Sequence, residues 1–334
     1  MEINVLLTKK FFDEDLTYLN QRLLPEVNLI IPNDYGEVSL LKYATDANVF
    51  LGGLISEPLC EASPNLKFIQ IPWTGVDNLN FDSIQKIGVP VCNSHSNATA
   101  VAEHALALLF DVAKKVSYHD HELRKGNWNR PKTDNTNEVS PFSKKISGKK
   151  IGIIGYGHIG KSIQTFLSGF NCEFYISSTS IKQKYREENK YFYPNDSFDA
   201  ICIVDYLFIC VPLTDKTKGF MNKNVFDSMK NSSVLINTSR GEVIDEVDLY
   251  DALKNNVISG AGIDTWYNYP KNSNEPTMPS LKSRFWELDN IVMSPHRAGF
   301  IENELPHLDD AIININRTVY GFEPFNIISL KNKY

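Results

Sequence analysis

Residues 151–170 read IGIIGYGHIGKSIQTFLSGF, and this stretch narrows the folds open to the chain more than any other. An apolar run, Ile151 to Ile154, has the character of a buried strand. Gly155, Gly157 and Gly160 follow it, and a helical apolar pattern leaves. A G-x-G-x-x-G triplet alone is a weak signal. Between a strand and a helix it acquires a mechanism, because the helix N-terminus offers unpaired amides and a partial positive charge to a pyrophosphate. Gly155 is expected to make the turn, Gly157 to admit a phosphate and Gly160 to let helix and strand approach. His158 and Ile159 complete this cofactor-binding segment. The bland alternative is a glycine-rich turn of an α/β core that holds no ligand.

Around this unit, short β-rich runs alternate with helical patterns: INVLLT, VNLIIP, LKFIQI and VPVCN before it, EFYIS, YLFICVP, SVLINTS, VISGAGID and NIVMS after it. Such alternation predicts an α/β fold of doubly wound parallel sheets with crossover helices. A chain of 334 residues with 42% hydrophobic content exceeds one comfortable core, so two domains are expected. Between the two series, ATAVAEHALALLFDVAKKVSYHDHELRKG has the spacing of one long helix stopped by Gly126, fit to carry the chain from one domain to the other. After residue 297 only LDDAIININRTV is helical, too little for a core of its own, so the tail is expected to pack back on the first domain. The resulting division is 1–98 with 297–334 against 99–296.

A net charge of -6 and one short basic stretch, KKISGKK, argue against a nucleic-acid partner. Neither secretion nor membrane insertion is indicated, since no window approaches eighteen uncharged apolar residues. The 5 cysteines, Cys60, Cys92, Cys172, Cys202 and Cys210, lie far apart and mostly inside apolar runs. They read as buried thiols of a reducing cytoplasm, and neither they nor the histidines have metal-ligand spacing.

Candidate chemistry sits at three strand ends. About 20 residues beyond the glycine loop, where a carboxylate would normally take the ribose hydroxyls, the chain has Ser177, Ser178 and Thr179, followed by Lys182, Lys184 and Arg186. With no carboxylate to repel a phosphate, NADP is favoured over NAD. In INTSRGEVIDE, Arg240 falls where a strand meets the crevice, and its guanidinium can hold a carboxylate or polarise a carbonyl through paired hydrogen bonds. In MSPHRAGF, Pro295 disfavours helix for Ser294, so His296 stands at another strand end, where an imidazole can carry a proton. Surface arginine and structural histidine are the bland alternatives.

Taken in order, AVAEHALALL, GIIGYGHIG, VPLTDKTKG, INTSRGEVIDEVDLYDAL, GAGID and SPHRAG resemble the D-2-hydroxyacid dehydrogenase family from about residue 66 to 300. The resemblance implies two Rossmann-like domains with the active site in the cleft between them: a discontinuous substrate-binding domain from the two chain ends and a dinucleotide-binding domain inserted between. It also implies a homodimer, and hydride transfer between NAD(P)(H) and a small 2-oxo or 2-hydroxy acid. By position, Arg240 resembles the substrate-binding arginine and His296 the acid–base histidine. Asp264 resembles the residue that holds the nicotinamide carboxamide. Gly75 and Val76 in PWTGVDN resemble a backbone cradle for the substrate carboxylate, Asn97 a polar substrate-side residue, and Pro212, Thr217 and Thr238 residues lining the cofactor.

The chain departs from that family at the partner of the histidine. A glutamate is expected five residues beyond Asp264, where it would hold the imidazole and favour its protonated form; the residue there is Tyr269. A phenol orients a ring without supplying negative charge. Three readings follow: reduction of a 2-oxo acid with His296 oriented by Tyr269 or by a carboxylate from elsewhere such as Glu302; a formate dehydrogenase-like oxidation; or a non-catalytic protein that binds dinucleotide and reports redox state. Trp73, Trp266 and Tyr267 suggest an aromatic wall for the substrate, or core packing.

Overall fold

Apolar runs too short for helices become strands here, in a computed structural model that describes residues 1–128, 143–194, 201–271 and 275–331. Most of the polar segment before KKISGKK and residues 272–274 of the proline-rich 270–283 loop lie outside the described residues. The chain divides into two units, Met1–Asn97 with Gly299–Tyr334, and Ala98–Ala298.

In the first unit, β1 (Ile3–Leu7), β2 (Val27–Ile30), β3 (Val49–Leu51), β4 (Phe68–Gln70) and β5 (Val91–Cys92) form a parallel sheet in the order β2-β1-β3-β4-β5. Successive side chains enter opposite faces. Val5, Leu7, Val49 and Leu51 meet Ala311, Ile312 and Ile315 of the helix Asp309–Val319, whereas Leu6 and Phe50 join a core on the other face. Each such burial contributes about 1.5–3 kcal/mol, enough to hold the tail helix where its apolar side covers the sheet. Its one fully buried amide, Asn314, donates to Gln70 Oε1 at 2.8 Å and to the Phe325 carbonyl at 3.0 Å.

The second unit contains β6 (Lys150–Ile154), β7 (Glu173–Ser178), β8 (Tyr185–Glu187), β9 (Lys190–Pro194), β10 (Tyr206–Ile209), β11 (Val234–Asn237), β12 (Gly260–Ile263) and β13 (Ile291–Met293). They run in the order β13-β12-β11-β10-β6-β7-β9-β8, parallel except for β8 against β9. The alternation recurs: Ile151, Ile153, Phe174, Ile176 and Ile236 pack with the helix Ala98–Lys114, and Leu207, Ile209, Leu235 and Ile263 form the opposite core. Glycine lets that helix come close. A Cβ on Gly262 would lie 2.9 Å from both Leu108 Cβ and Ile236 Cδ1, and one on Gly260 3.1 Å from Val112 Cγ1.

The structure departs from the sequence expectation in two places. The long helix stops at Lys114, because Lys115 adopts φ 58° and the Asp111 carboxylate takes hydrogen bonds from the Ser117 amide at 2.8 Å and hydroxyl at 2.6 Å. These side-chain bonds compete with helix continuation, and a separate helix, Val116–Arg124, carries on to Gly126 at φ 85°. The helix before the break opens the second unit at Ala98, where the chain leaves the first. Second, β3 and the β8–β9 hairpin were not anticipated: β3 has only three residues, and β8 is exposed and polar in pattern. Among the described residues all the cysteines are free thiols, and no helix is long and apolar enough to cross a membrane.

Gly262→Val should press a branched side chain against Leu108 and lower stability by about 1–3 kcal/mol, read as an earlier urea midpoint with an unchanged slope.

Candidate active site

The glycine loop is built by contact. Gly155 has φ 94°, and a Cβ there would lie 2.4 Å from the Cys210 carbonyl oxygen; a Cβ on Gly160 would lie 2.3 Å from the Gly155 carbonyl oxygen. Neither position admits another residue without moving backbone. At Gly157 an added Cβ meets nothing within 4 Å, so this glycine faces open space. It is also the N-cap of the helix His158–Leu167 and brings no side chain to cap the first-turn amides of His158, Ile159 and Gly160. Close packing on two sides and an open, amide-lined third side fit a dinucleotide pyrophosphate.

At the end of β7 the hydroxyls turn to local work. Ser177 donates to the Pro194 carbonyl at 3.2 Å, and Ser178 pairs with Ser180 at 3.0 Å; both serines are buried. Thr179 lies beside them on the exposed edge. Beyond lies a cavity of about 550 Å³ lined by Tyr156, Lys161, Lys182, Lys190 and Phe192 among others, with Glu187 the acidic member. Of the cations noted in the sequence, Lys182 faces this cavity, while Lys184 lies over the Tyr193 ring and Arg186 over Tyr191, at 4.6 and 4.8 Å. In the turn between β10 and the next helix, the Thr217 hydroxyl donates to the Pro212 carbonyl at 2.6 Å and accepts from the Thr214 amide at 2.8 Å, closing that turn on itself.

Arg240 follows β11 on a loop organised by Asn237, a buried residue that sequence reasoning passed over. The Asn237 carbonyl oxygen of the side chain accepts from the Ser239 amide at 3.0 Å and hydroxyl at 2.7 Å, and its amide donates to the Arg240 carbonyl at 3.0 Å. Thr238 is carried on the same turn. The only hint was an asparagine two residues ahead of a serine, the pattern of a side-chain turn. Gly241 then presses on the Trp266 backbone, where a Cβ would lie 2.4 Å from the carbonyl oxygen. This brings the Arg240 loop against the segment that carries Tyr269.

His296 follows β13 with φ 56°, a conformation costing a non-glycine residue about 1–2 kcal/mol. It is pinned from both sides. Upstream, the Ser294 amide donates to the Ile263 carbonyl at 2.9 Å and Trp266 Nε1 donates to the Ser294 carbonyl at 2.8 Å. Downstream, the two carboxylate oxygens of Asp264 accept from the Arg297 amide at 2.8 Å and the Ala298 amide at 3.1 Å. Asp264 is wholly buried. Burial alone would raise its pKa, but the His104 and Ser294 side chains and these two amides outweigh that and hold the carboxyl below its ordinary value.

Tyr269 stands where the glutamate was expected. Its ring centroid lies 5.5 Å from that of His296, tilted 55°, and its hydroxyl accepts from the Trp266 amide at 3.0 Å. Burial pushes the phenol up, the Trp266 amide and the Arg240 cation pulling the other way, so at neutral pH it is an uncharged partner. Trp266 and Tyr267 form no substrate wall. They are core aromatics packed on Phe285, and the Tyr267 hydroxyl is spent on the Ile244 carbonyl at 3.2 Å.

In the first unit, Gly75 and buried Val76 occupy a turn after β4 whose shape depends on Asn93, another residue missed in the sequence. Asn93 donates to the Thr74 carbonyl at 2.7 Å, and the Thr74 hydroxyl donates to the Ser94 carbonyl at 2.8 Å with Asn97 Oδ1 3.1 Å away.

Comparison with known proteins places this geometry in a family. Residues 106–298 match the family model described as D-isomer specific 2-hydroxyacid dehydrogenase, NAD binding domain. That span exceeds half the chain and contains Gly155, Arg240, Asp264 and His296; the chain belongs to the D-isomer-specific 2-hydroxyacid dehydrogenase family. A glyoxylate/hydroxypyruvate reductase of Arabidopsis thaliana is 30% identical over 293 residues, covering 85% of this chain and 84% of the relative. A glyoxylate reductase of Pyrococcus horikoshii is 31% identical over 297 residues, covering 82% and 84%. The fold is shared with an NADPH-dependent glyoxylate/hydroxypyruvate reductase of Sinorhizobium meliloti solved with NADP and malonate, at a TM-score of 0.75 and 21% identity over 99% of this chain and 98% of that one.

Because the folded-state pKa of Asp264 is depressed, its stabilising effect is full above the unfolded value of about 4 and fades as pH falls through the folded value. Asp264→Asn should therefore lower stability by about 1–3 kcal/mol at pH 7, with the two proteins converging in urea titrations as pH falls below the ordinary carboxylate range.

Proposed function

We propose that this protein reduces a small 2-oxo acid of the glyoxylate or hydroxypyruvate kind to its 2-hydroxy acid, with NADPH preferred over NADH. One observation carries the reading: Arg240, Tyr269 and His296 follow β11, β12 and β13, three neighbouring strands, at their carboxyl ends, where open parallel sheets bind ligands.

The cofactor-binding unit is the inserted one, with Gly155, Gly157 and Gly160 at the pyrophosphate and Pro212, Thr217 and Thr238 along the dinucleotide. When bound, the reduced dinucleotide supplies a hydride to the carbonyl carbon. Arg240 binds the substrate carboxylate through its planar fork and draws electron density from the carbonyl. His296 gives its ring proton to the carbonyl oxygen, completing the alcohol. Tyr269 orients the ring through the contact seen here, at the position where the resemblance implies a glutamate. The amides of Gly75 and Val76 and the side chain of Asn97 are the substrate-side groups of the unit formed by the chain ends. The preference for NADPH rests on Lys182 and Lys161 beside the Ser177–Thr179 strand end, where the strand carries no carboxylate. A homodimer is supported by an apolar groove of about 300 Å³ among Leu106, Ala107, Phe110 and Phe166 of the second unit, and a cytoplasmic location by the free thiols.

Turnover followed at 340 nm should show glyoxylate or hydroxypyruvate reduced with a higher kcat/KM for NADPH than for NADH. Lys182→Ala should cut the NADPH value about tenfold and leave NADH unchanged, and His296→Asn should cut kcat by about 10²–10⁴. A clear NADH preference removes the cofactor assignment, and NAD-linked oxidation of formate with no oxo-acid turnover replaces the reaction.

Tyr269→Glu places a carboxylate beside His296 and favours the protonated ring. The pH above which reduction fades should move upward relative to the native protein; an unmoved or lowered limb would remove Tyr269 from the imidazole's surroundings.

A further inference from the structure

We infer that His104, on the helix Ala98–Lys114, is a positioning residue for His296, an inference that rests on the reductase reading above. His104 Nε2 lies 2.9 Å from Ser294 Oγ and 3.4 Å from Asp264 Oδ1. These two residues are the ones that bracket the imidazole. Ser294 is two residues before His296, its carbonyl held by Trp266, and Asp264 takes the amides of the two residues after it. His104 joins the bracket at its open side, linking the hydroxyl of one arm to the acceptor of the other.

The link matters because of the backbone it serves. His296 sits at φ 56°, and Arg297 and Ala298 keep their amides on Asp264 only while its carboxylate holds one rotamer. The His104 side chain meets both arms from a distance in sequence: it comes from the helix Ala98–Lys114, which is seated on β12 by Gly260 and Gly262. A ring nitrogen donor there fixes the carboxylate rotamer, the carboxylate fixes the two amides, and the amides set the direction of the His296 ring. His104 touches no reacting atom on this account.

Two substitutions separate this role from packing. Glutamine can place its amide nitrogen where Nε2 stands and keep the donor, whereas leucine keeps volume and removes it. His104→Leu should lower kcat for the oxo acid by about tenfold to a hundredfold while KM for NADPH stays within about twofold, and His104→Gln should recover most of the loss. Added to His296→Asn, His104→Leu should cost nothing further, since the residue it positions is gone. The ring Cε1–H NMR signal of His296, assigned by its absence in His296→Asn, should shift in His104→Leu and return in His104→Gln, without any need for turnover. Equal losses in both variants, additive losses with His296→Asn, or an unmoved His296 signal would overturn the inference. A native protein that turns over none of the oxo acids defeats the reductase reading instead, and the NMR comparison still decides the positioning.

Discussion

Asp264 has no exposed surface, yet it is held ionised by the donors that surround it, and the candidate site is assembled around that carboxylate. The amides of Arg297 and Ala298 close on it, so the chain after β13 cannot relax out of the left-handed conformation that His296 adopts. Strain of this kind persists only where neighbours over-determine it. Here the Ser294 bonds to Ile263 and Trp266 supply the second constraint. A charge in a dry interior strengthens every hydrogen bond it accepts, and the same dryness makes it intolerant of losing one.

The second constraint is steric. Glycine at 155, 160, 241, 260 and 262 removes a Cβ wherever one element must touch another: loop against strand, helix against loop, the Arg240 turn against Trp266, the helix Ala98–Lys114 against β12. These approaches bring chemistry on separate strands into one region of the second unit. Tyr269 then occupies a place that the family resemblance reserves for a carboxylate, and its contact with His296 is one of ring with ring. At this position orientation survives the exchange and charge does not.

Much of this was legible beforehand. The strands at Ile3–Leu7, Lys150–Ile154 and Val234–Asn237 follow from apolar runs bounded by turn residues, and the tail helix Asp309–Val319 from its periodicity. Arg240 and His296 were visible as strand-end residues because strands were. Asn237, Asn93 and His104 were not, since each acts through a partner distant in space or through a turn that only side-chain geometry reveals. The helix break at Lys115 was hidden for a similar reason: Asp111 and Ser117 are unremarkable in a helical pattern until their bond competes with it.

Local periodicity and turn chemistry, which act over a few residues, thus sufficed to determine from the sequence alone the α/β class and the glycine loop, and the family resemblance marked Tyr269 where it implies a carboxylate. The destination of each buried polar group depended on folding. Whether Asp264 faces a ligand or the backbone beyond His296, whether Trp266 and Tyr267 line a site or a core, and whether Tyr269 meets His296 are decided by which donors and rings the packed sheet leaves within about 3–6 Å of one another. Burial makes those pairings obligatory, and sequence separation conceals them.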